Sequence, residues 1–254
     1  MTRYKVIIEY DGKNFCGWQK QKALISVQGT IEDSLYKFCG KNISIFGAGR
    51  TDKGVHASGQ VAHFDIEEDD LEDKNDKLGK LTMGLNFYLS RACNNEISII
   101  ETSKVDEEFH SRFSAKGRKY KYTILNKKTS SPLLKDKTWR VPLPLNILLM
   151  QKASTLLIGK HNFSAFRSIE CQAKSPIKTI DSIKIIKNNE LIEIYVVAKS
   201  FLMNQVRIIS GTLVEIGLNK KTEKDILLAL KTYTRSHAGA TAPPNALVLE
   251  KVVY

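Results

Sequence analysis

The chain has 254 residues, 42% of them hydrophobic, and its 39 Lys and Arg against 27 Asp and Glu leave a formal net charge of +12. That hydrophobic fraction excludes a disordered chain, the length allows one large domain or two modest ones, and the charge excess points to polyanionic partners without selecting a fold. Cys16, Cys39, Cys93 and Cys171 form no C-x-x-C pair, which argues against a disulfide framework and a zinc ribbon. Residues 1–11 lack a signal-peptide apolar core, and no apolar run approaches the ~20 residues of a membrane span, so a soluble, cytoplasmic protein is expected.

Residues 4–10 alternate, with Tyr4, Val6, Ile8 and Tyr10 on one face and Lys5 and Glu9 on the other, which predicts a strand ended by the Asp11-Gly12 turn pair. After a loop with Phe15, Gly17 and Trp18, Ser26 caps a predicted helix with Ile31, Leu35 and Phe38 in register and Gly40 past its end. Residues 43–46 and 59–66 read as strands on either side of a glycine-rich loop at 47–54. Residues 65–76, with eight acids against Lys74, read as an exposed connection to a helix over 77–89 that carries Leu78, Leu81, Leu85 and Leu89. A strand follows at 97–101, and another at 118–125 with Tyr120, Tyr122 and Ile124 on one face and Lys119 and Lys121 on the other.

The first proline is Pro132, followed by Pro142 and Pro144, which marks this stretch as the passage between halves. Beyond it, the pattern predicts a helix over 146–158 closed by Gly159, a hairpin of 179–187 and 191–198 about Asn188-Asn189, and a helix over 203–216 stopped by Gly217. A helix through Ile226, Leu227 and Leu230 and a strand at 247–252 complete the chain. The order β, α, β, β recurs, so the expected fold is α+β, two α/β halves with mostly antiparallel sheets. Residues 1–110 form the half with the glycine loop, and 111–254 the half with the basic-aromatic strand and the Arg207 helix.

Charge is placed unevenly. Residues 1–127 hold 20 basic and 18 acidic side chains, residues 128–254 hold 19 and 9, and 112–140 hold ten basic side chains against Asp136 alone. Aromatics thread that run: Phe109, His110, Arg112 and Phe113, then Arg118, Lys119, Tyr120, Lys121 and Tyr122. Cations for phosphates beside π-faces for unstacked bases suit nucleic acid. Tyr122 reads as a core residue of its strand, and Tyr120 reads equally as core or as a stacking ring.

The 47–54 loop is no P-loop, since no Gly-Lys-Ser/Thr closes it, and no dinucleotide fingerprint, since Asp52 stands where the third glycine belongs. Its glycines let the backbone approach a bulky ligand and set Arg50, Asp52 and Lys53 at the mouth of a strand-loop-strand unit. The alternative is a turn in which Asp52 bonds its own backbone. Arg207, alone on an apolar helix, calls for a carboxylate, with Asp52 the candidate, or else reaches solvent. His56, His63, His110, His161 and His237 show no H-x-x-x-H or H-x-H spacing and no G-x-S-x-G occurs, so neither a metal site nor a serine hydrolase is expected.

Gly49-Arg50-Thr51-Asp52-Lys53-Gly54-Val55-His56-Ala57, continuing through Gly59-Gln60-Val61 and His63-Phe64, resembles the catalytic signature of the TruA family of tRNA pseudouridine synthases. Tyr10-Asp11-Gly12 with Gly17-Trp18-Gln19, the Phe109-His110 to Tyr122 block, Phe163 to Cys171, and Val206-Arg207 with Gly211 resemble further family blocks in the family's order. The resemblance implies two α/β halves whose sheets meet at a central basic cleft, a homodimer, and isomerisation of uridine to pseudouridine at positions 38–40 of the tRNA anticodon arm without metal or organic cofactor. It implies Asp52 as the essential aspartate, Tyr120 as the ring packed on the uracil, Arg207 as the basic partner of the aspartate, and Arg50 as a support of the flipped-out state. Thr51, Lys53, His56, Arg112, Arg118, Lys119 and Lys121 are the further expected substrate contacts. No protein partner beyond a second copy is implied. Gln205 stands where the family has methionine, Ala246 and Val248 where glycine and an aromatic are usual, and Leu89-Ser90 where Leu-Pro is usual. These departures bear on packing, substrate range and rate more than on reaction type. The rival readings are an RNA-binding protein without catalysis and a metal-dependent nuclease using Asp52 and Asp65.

Overall fold

The computed structural model of the chain describes residues 1–67 and 77–254. Most of the acidic run at 65–76 therefore lies outside the described residues. The chain divides into two compact units, Met1–Lys116 with Leu249–Tyr254, and Gly117–Val248. The first contains β1 (Thr2–Tyr10), α1 (Val27–Cys39), β2 (Phe46–Gly47), β3 (His56–Ile66), α2 (Lys77–Cys93) and β4 (Ile97–Val105). The second contains β5 (Gly117–Leu125), β6 (Trp139–Arg140), α3 (Ile147–Thr155), β7 (Gly159–Asn162), β8 (Ile177–Asn188), β9 (Leu191–Ala198), α4 (Gln205–Gly217) and α5 (Glu223–Thr232). The last strand, β10 (Leu247–Val253), carries the chain back into the first unit.

In the first unit the strand order is β4-β1-β3-β10, with β2 on β3. Alternation in β1 does what it predicts: Tyr4, Val6, Ile8 and Tyr10 are buried and the residues between them are not. Because β3 and β4 both pair antiparallel with β1, they run parallel to each other, and α2 makes the crossover that such a pair requires. α2 buries Leu81, Leu85 and Leu89 and packs on β4 and α1. Each fully buried Leu or Ile contributes about 1.5–3 kcal/mol. Ser26 Oγ accepts from Gly29 N–H at 3.1 Å, and Gly40 ends α1 at φ +72. Serine at 90 leaves α2 running unbroken to Cys93, where a proline would remove a backbone donor.

The second unit has the order β5-β9-β8-β7, with β6 on β5. Among the described strand registers only β5–β6 is parallel, so the expectation of mostly antiparallel sheets holds. Asn189 takes φ +54 in the β8–β9 turn, as the Asn-Asn signal predicts. α4 buries Val206, Ile208, Ile209, Leu213 and Ile216 and packs on α3.

Several expectations are corrected. The strand at 43–46 shrinks to β2, because Gln28 Nε2 donates to the Ile45 carbonyl and Ile45 N–H donates to Glu32, both at 3.2 Å, so α1 side chains take the groups a ladder would use. The prolines at 132–144 lie inside the second unit. Val141 N–H there bonds the Leu125 carbonyl at 2.9 Å, and Asn126 Nδ2 bonds the Val141 and Leu143 carbonyls. α3 ends at Thr155 rather than 158, its last turns tightening to i−3 bonds at Leu156, Leu157 and Ile158, and Gly159 opens β7 at φ +103 instead of closing the helix. Gly217 lies within α4, and Asn219 at φ +57 follows its end.

Candidate active site

The 47–54 loop of the first unit is braced on both sides of Asp52. Gln60 Nε2 donates to the Gly49 carbonyl at 2.9 Å, and Ala48 N–H donates to the Val61 carbonyl at 2.7 Å. Thr51 Oγ1 lies 2.7 Å from the Tyr10 hydroxyl, and the Thr51 carbonyl accepts from Trp18 N–H at 3.1 Å. Gly17 makes that approach possible: it sits at φ +115, and a Cβ there would lie 2.6 Å from the Thr51 oxygen. Val55 N–H then closes the turn onto the Asp52 carbonyl at 3.1 Å. Asp52 is half-buried between the exposed Arg50 and Lys53, on a backbone hydrogen-bonded at Thr51 and at its own carbonyl.

Thr51 and His56 are both buried and spend polar atoms inside the unit. His56 Nδ1 lies 3.0 Å from the Gly12 N–H and 2.9 Å from an Asp11 carboxylate oxygen; bare, that nitrogen accepts from Gly12, and protonated it donates to Asp11. Either way the ring ties the Asp11-Gly12 turn to β3. Burial pushes the Tyr10 phenol above its usual range despite its bonds to Thr51 and Gln60, so it stays neutral behind the loop. Arg112 is exposed, its guanidinium carbon 5.6 Å from the Phe113 ring centre.

In the second unit β5 presents its cations toward β9. Lys119 Nζ sits 4.4 Å above the Tyr195 ring, and Lys121 Nζ lies 3.7 Å from the Glu193 carboxylate. Arg118 is buried and donates to the Lys199 carbonyl. Tyr120 is 9% exposed, with its ring edge-to-face with Phe201 at 5.2 Å. Tyr122 is core, as predicted, and its hydroxyl donates to the Pro243 carbonyl at 2.9 Å.

Arg207 is half-buried and does not simply extend into solvent. Its Nε donates to the Ala242 carbonyl and its Nη1 to Asn204 Oδ1, each at 2.7 Å. The Ala242 N–H returns a bond to the Arg207 carbonyl at 3.2 Å. Residues 238–242 lie along α4 as a strap, with Gly239 N–H on Thr212 Oγ1 and Ala240 N–H on Glu215, both at 2.8 Å. Sequence reasoning gave Gln60 no role beyond its place in the motif, set Asn204 inside the helix over 203–216 rather than before it, and missed this strap. Gln205 is buried, and its Oε1 accepts from Leu202 N–H at 2.8 Å, a bond no methionine could accept so well. Ala246 is buried in the turn before β10, and Val248 is half-buried within it.

Asp65 is held by Arg3 through two bonds of 2.7 Å, which also pull its carboxyl below the usual range. It is therefore engaged as an ion-pair partner, which weakens the nuclease reading. Among the described residues no group of three or more His, Cys, Asp or Glu could hold a metal ion, and no helix is long and apolar enough to cross a membrane.

A family model described as tRNA pseudouridine synthase matches residues 6–115 and 153–254, which takes in the 47–54 loop, Arg112 and the Arg207 helix and leaves Tyr120 between the two matched segments. The chain belongs to this family. It is similar over almost its whole length to proteins named tRNA pseudouridine synthase A. The one from Wolbachia pipientis wMel is 45% identical over 253 residues, 99% of this chain and 100% of that protein. The one from Ehrlichia chaffeensis is 46% identical over 259 residues, 99% and 100% of the two chains. The one from Bartonella henselae is 41% identical over 254 residues, all of both. Membership makes the chain an isomerase of the pseudouridine synthase class.

Proposed function

We propose that this synthase isomerises uridine to pseudouridine at positions 38, 39 and 40 in the anticodon stem-loop of tRNA, with Asp52 acting on the ribose and the target base flipped out of its stack. The observation that carries the reading is Asp52 on a loop whose backbone is bonded on both sides, in a chain of this family. The reaction breaks a C–N glycosidic bond, turns the uracil and rejoins it through carbon. A carboxylate serves by attacking the anomeric carbon or by taking a proton from the neighbouring sugar carbon, and both routes need it ionised. A guanidinium favours that state, the role assigned to Arg207.

Extruding a base costs a few kcal/mol, and stacking on Tyr120 returns about 1–3 kcal/mol of it, with Arg50 helping to hold the open state. Lys53, Arg112, Lys119 and Lys121 supply cations for phosphates. Arg118, Thr51 and His56 act from behind, through the bonds they make within their units. The enzyme works as a homodimer in the cytoplasm, where its tRNA is found.

The test is tritium release from tRNA labelled at carbon 5 of uracil, followed by mapping of pseudouridine. Release confined to positions 38–40 and abolished by Asp52→Asn is expected. No release by the wild type, or undiminished release by Asp52→Asn, would overturn the assignment.

A further inference from the structure

α4 begins against the usual rule. A helix N-cap ordinarily has extended backbone, and its side chain accepts a bond from a backbone N–H of the first turn. Asn204 instead takes a left-handed conformation, φ +62 and ψ +3, and its side chain makes no capping bond. Its Oδ1 accepts from Arg207 Nη1 at 2.7 Å. Three residues after the cap, Arg207 lies one turn along and within reach of the cap side chain. Its Nε is taken by Ala242 on the opposite approach, so two separated donors of one planar guanidinium are pinned by acceptors from different segments.

Gln205 holds this arrangement in place. Its Oε1 accepts from Leu202 N–H at 2.8 Å while its own N–H bonds the Leu202 carbonyl at 3.1 Å, closing the turn that places Asn204 in the left-handed region. The other half of the same amide, Nε2, is buried with no hydrogen-bond partner. Gln205 thus acts as an acceptor while its donor goes unused. A capping bond forgone, a left-handed backbone and an orphaned donor lie in consecutive residues, a local departure from the usual rules of a helix start.

We infer that Asn204 is a positioning residue of the reaction: held left-handed by the Gln205-closed turn, it fixes the plane of the Arg207 guanidinium. It touches no substrate and acts through Arg207, so the inference rests on the role given to Arg207 above.

Asn204→Gly keeps the positive φ and removes only the acceptor, and Asn204→Asp keeps an acceptor oxygen. With Asn204→Gly, kcat for pseudouridine formation is expected to fall about 10–100-fold, the effect of misplacing a reacting group, with KM for tRNA and Tm near wild type. Asn204→Asp is expected to restore most of the rate. A kcat for Asn204→Gly within twofold of wild type, alongside a crippled Arg207→Ala, would overturn this inference and leave the proposed function standing. Full activity in Arg207→Ala would overturn both the inference and the role of Arg207. A fall in Tm with unchanged kcat at low temperature would reduce Asn204 to a structural residue and also overturn it.

Discussion

At the scale of single residues, the loop that carries Asp52 rests on a buried hydrogen bond between Tyr10 and Thr51. Tyr10→Phe leaves the buried Thr51 hydroxyl without its 2.7 Å partner. An orphaned buried polar group costs about 1–3 kcal/mol, so Tyr10→Phe is expected to lower stability by that order, measured by urea unfolding, and the double variant Tyr10→Phe/Thr51→Val is expected to recover part of it. His63 is a second buried case. Its Nδ1 accepts from Ser111 N–H at 3.2 Å, and burial first, then His110 and Arg3, push its pKa down to about 4 from the usual 6.5. The folded ring is neutral where the unfolded one takes a proton, so its contribution is complete above pH ~6.5 and is lost as pH falls toward ~4. Melting temperatures between pH 7 and pH 5 should fall for the wild type and fall less steeply for His63→Leu.

At the scale of elements, the strap at 238–242 and the helix it lies on form one device. A Cβ on Gly211 would come 1.8 Å from the Ala240 carbonyl oxygen, backbone that cannot swing aside. Gly211→Ala is expected to lift the strap from α4, release Ala242 from Arg207, and lower both Tm and isomerisation rate, read by thermal unfolding and tritium release. α1 offers a milder comparison. Ser26→Ala removes the cap bond to Gly29 and should cost about 0.5–2 kcal/mol without touching activity. Strands and helices with regular burial, such as β1, α1, α2 and β5, were legible in the sequence because one-sided burial leaves a periodic trace. β6 and β7 were not, since two or four residues carry no period, and the strand at 43–46 failed because α1 side chains claimed the backbone of Ile45.

At the scale of the whole molecule, the net charge of +12 becomes a statement about RNA only through where the cations stand. Lys119, partly exposed above Tyr195, is the variant of choice: Lys119→Glu is expected to weaken tRNA binding and flatten the dependence of log K on log salt, read by filter binding over a salt series. Arg118→Glu is the poorer variant, because it also places an acid where a buried guanidinium bonds the Lys199 carbonyl. The sequence by itself determined the family, the mostly antiparallel α+β architecture and the candidate aspartate, because those rest on local periodicity and on a contiguous motif at 49–57. Only the tertiary structure decided that Thr51 and His56 face inward, that Arg118 is buried, and that Arg207 is held by Asn204 and Ala242. Hydrogen bonds such as Tyr10 to Thr51 and Arg207 to Ala242 join residues 41 and 35 positions apart, and a pairing at that separation leaves no trace in the order of side chains until folding brings them within 3 Å.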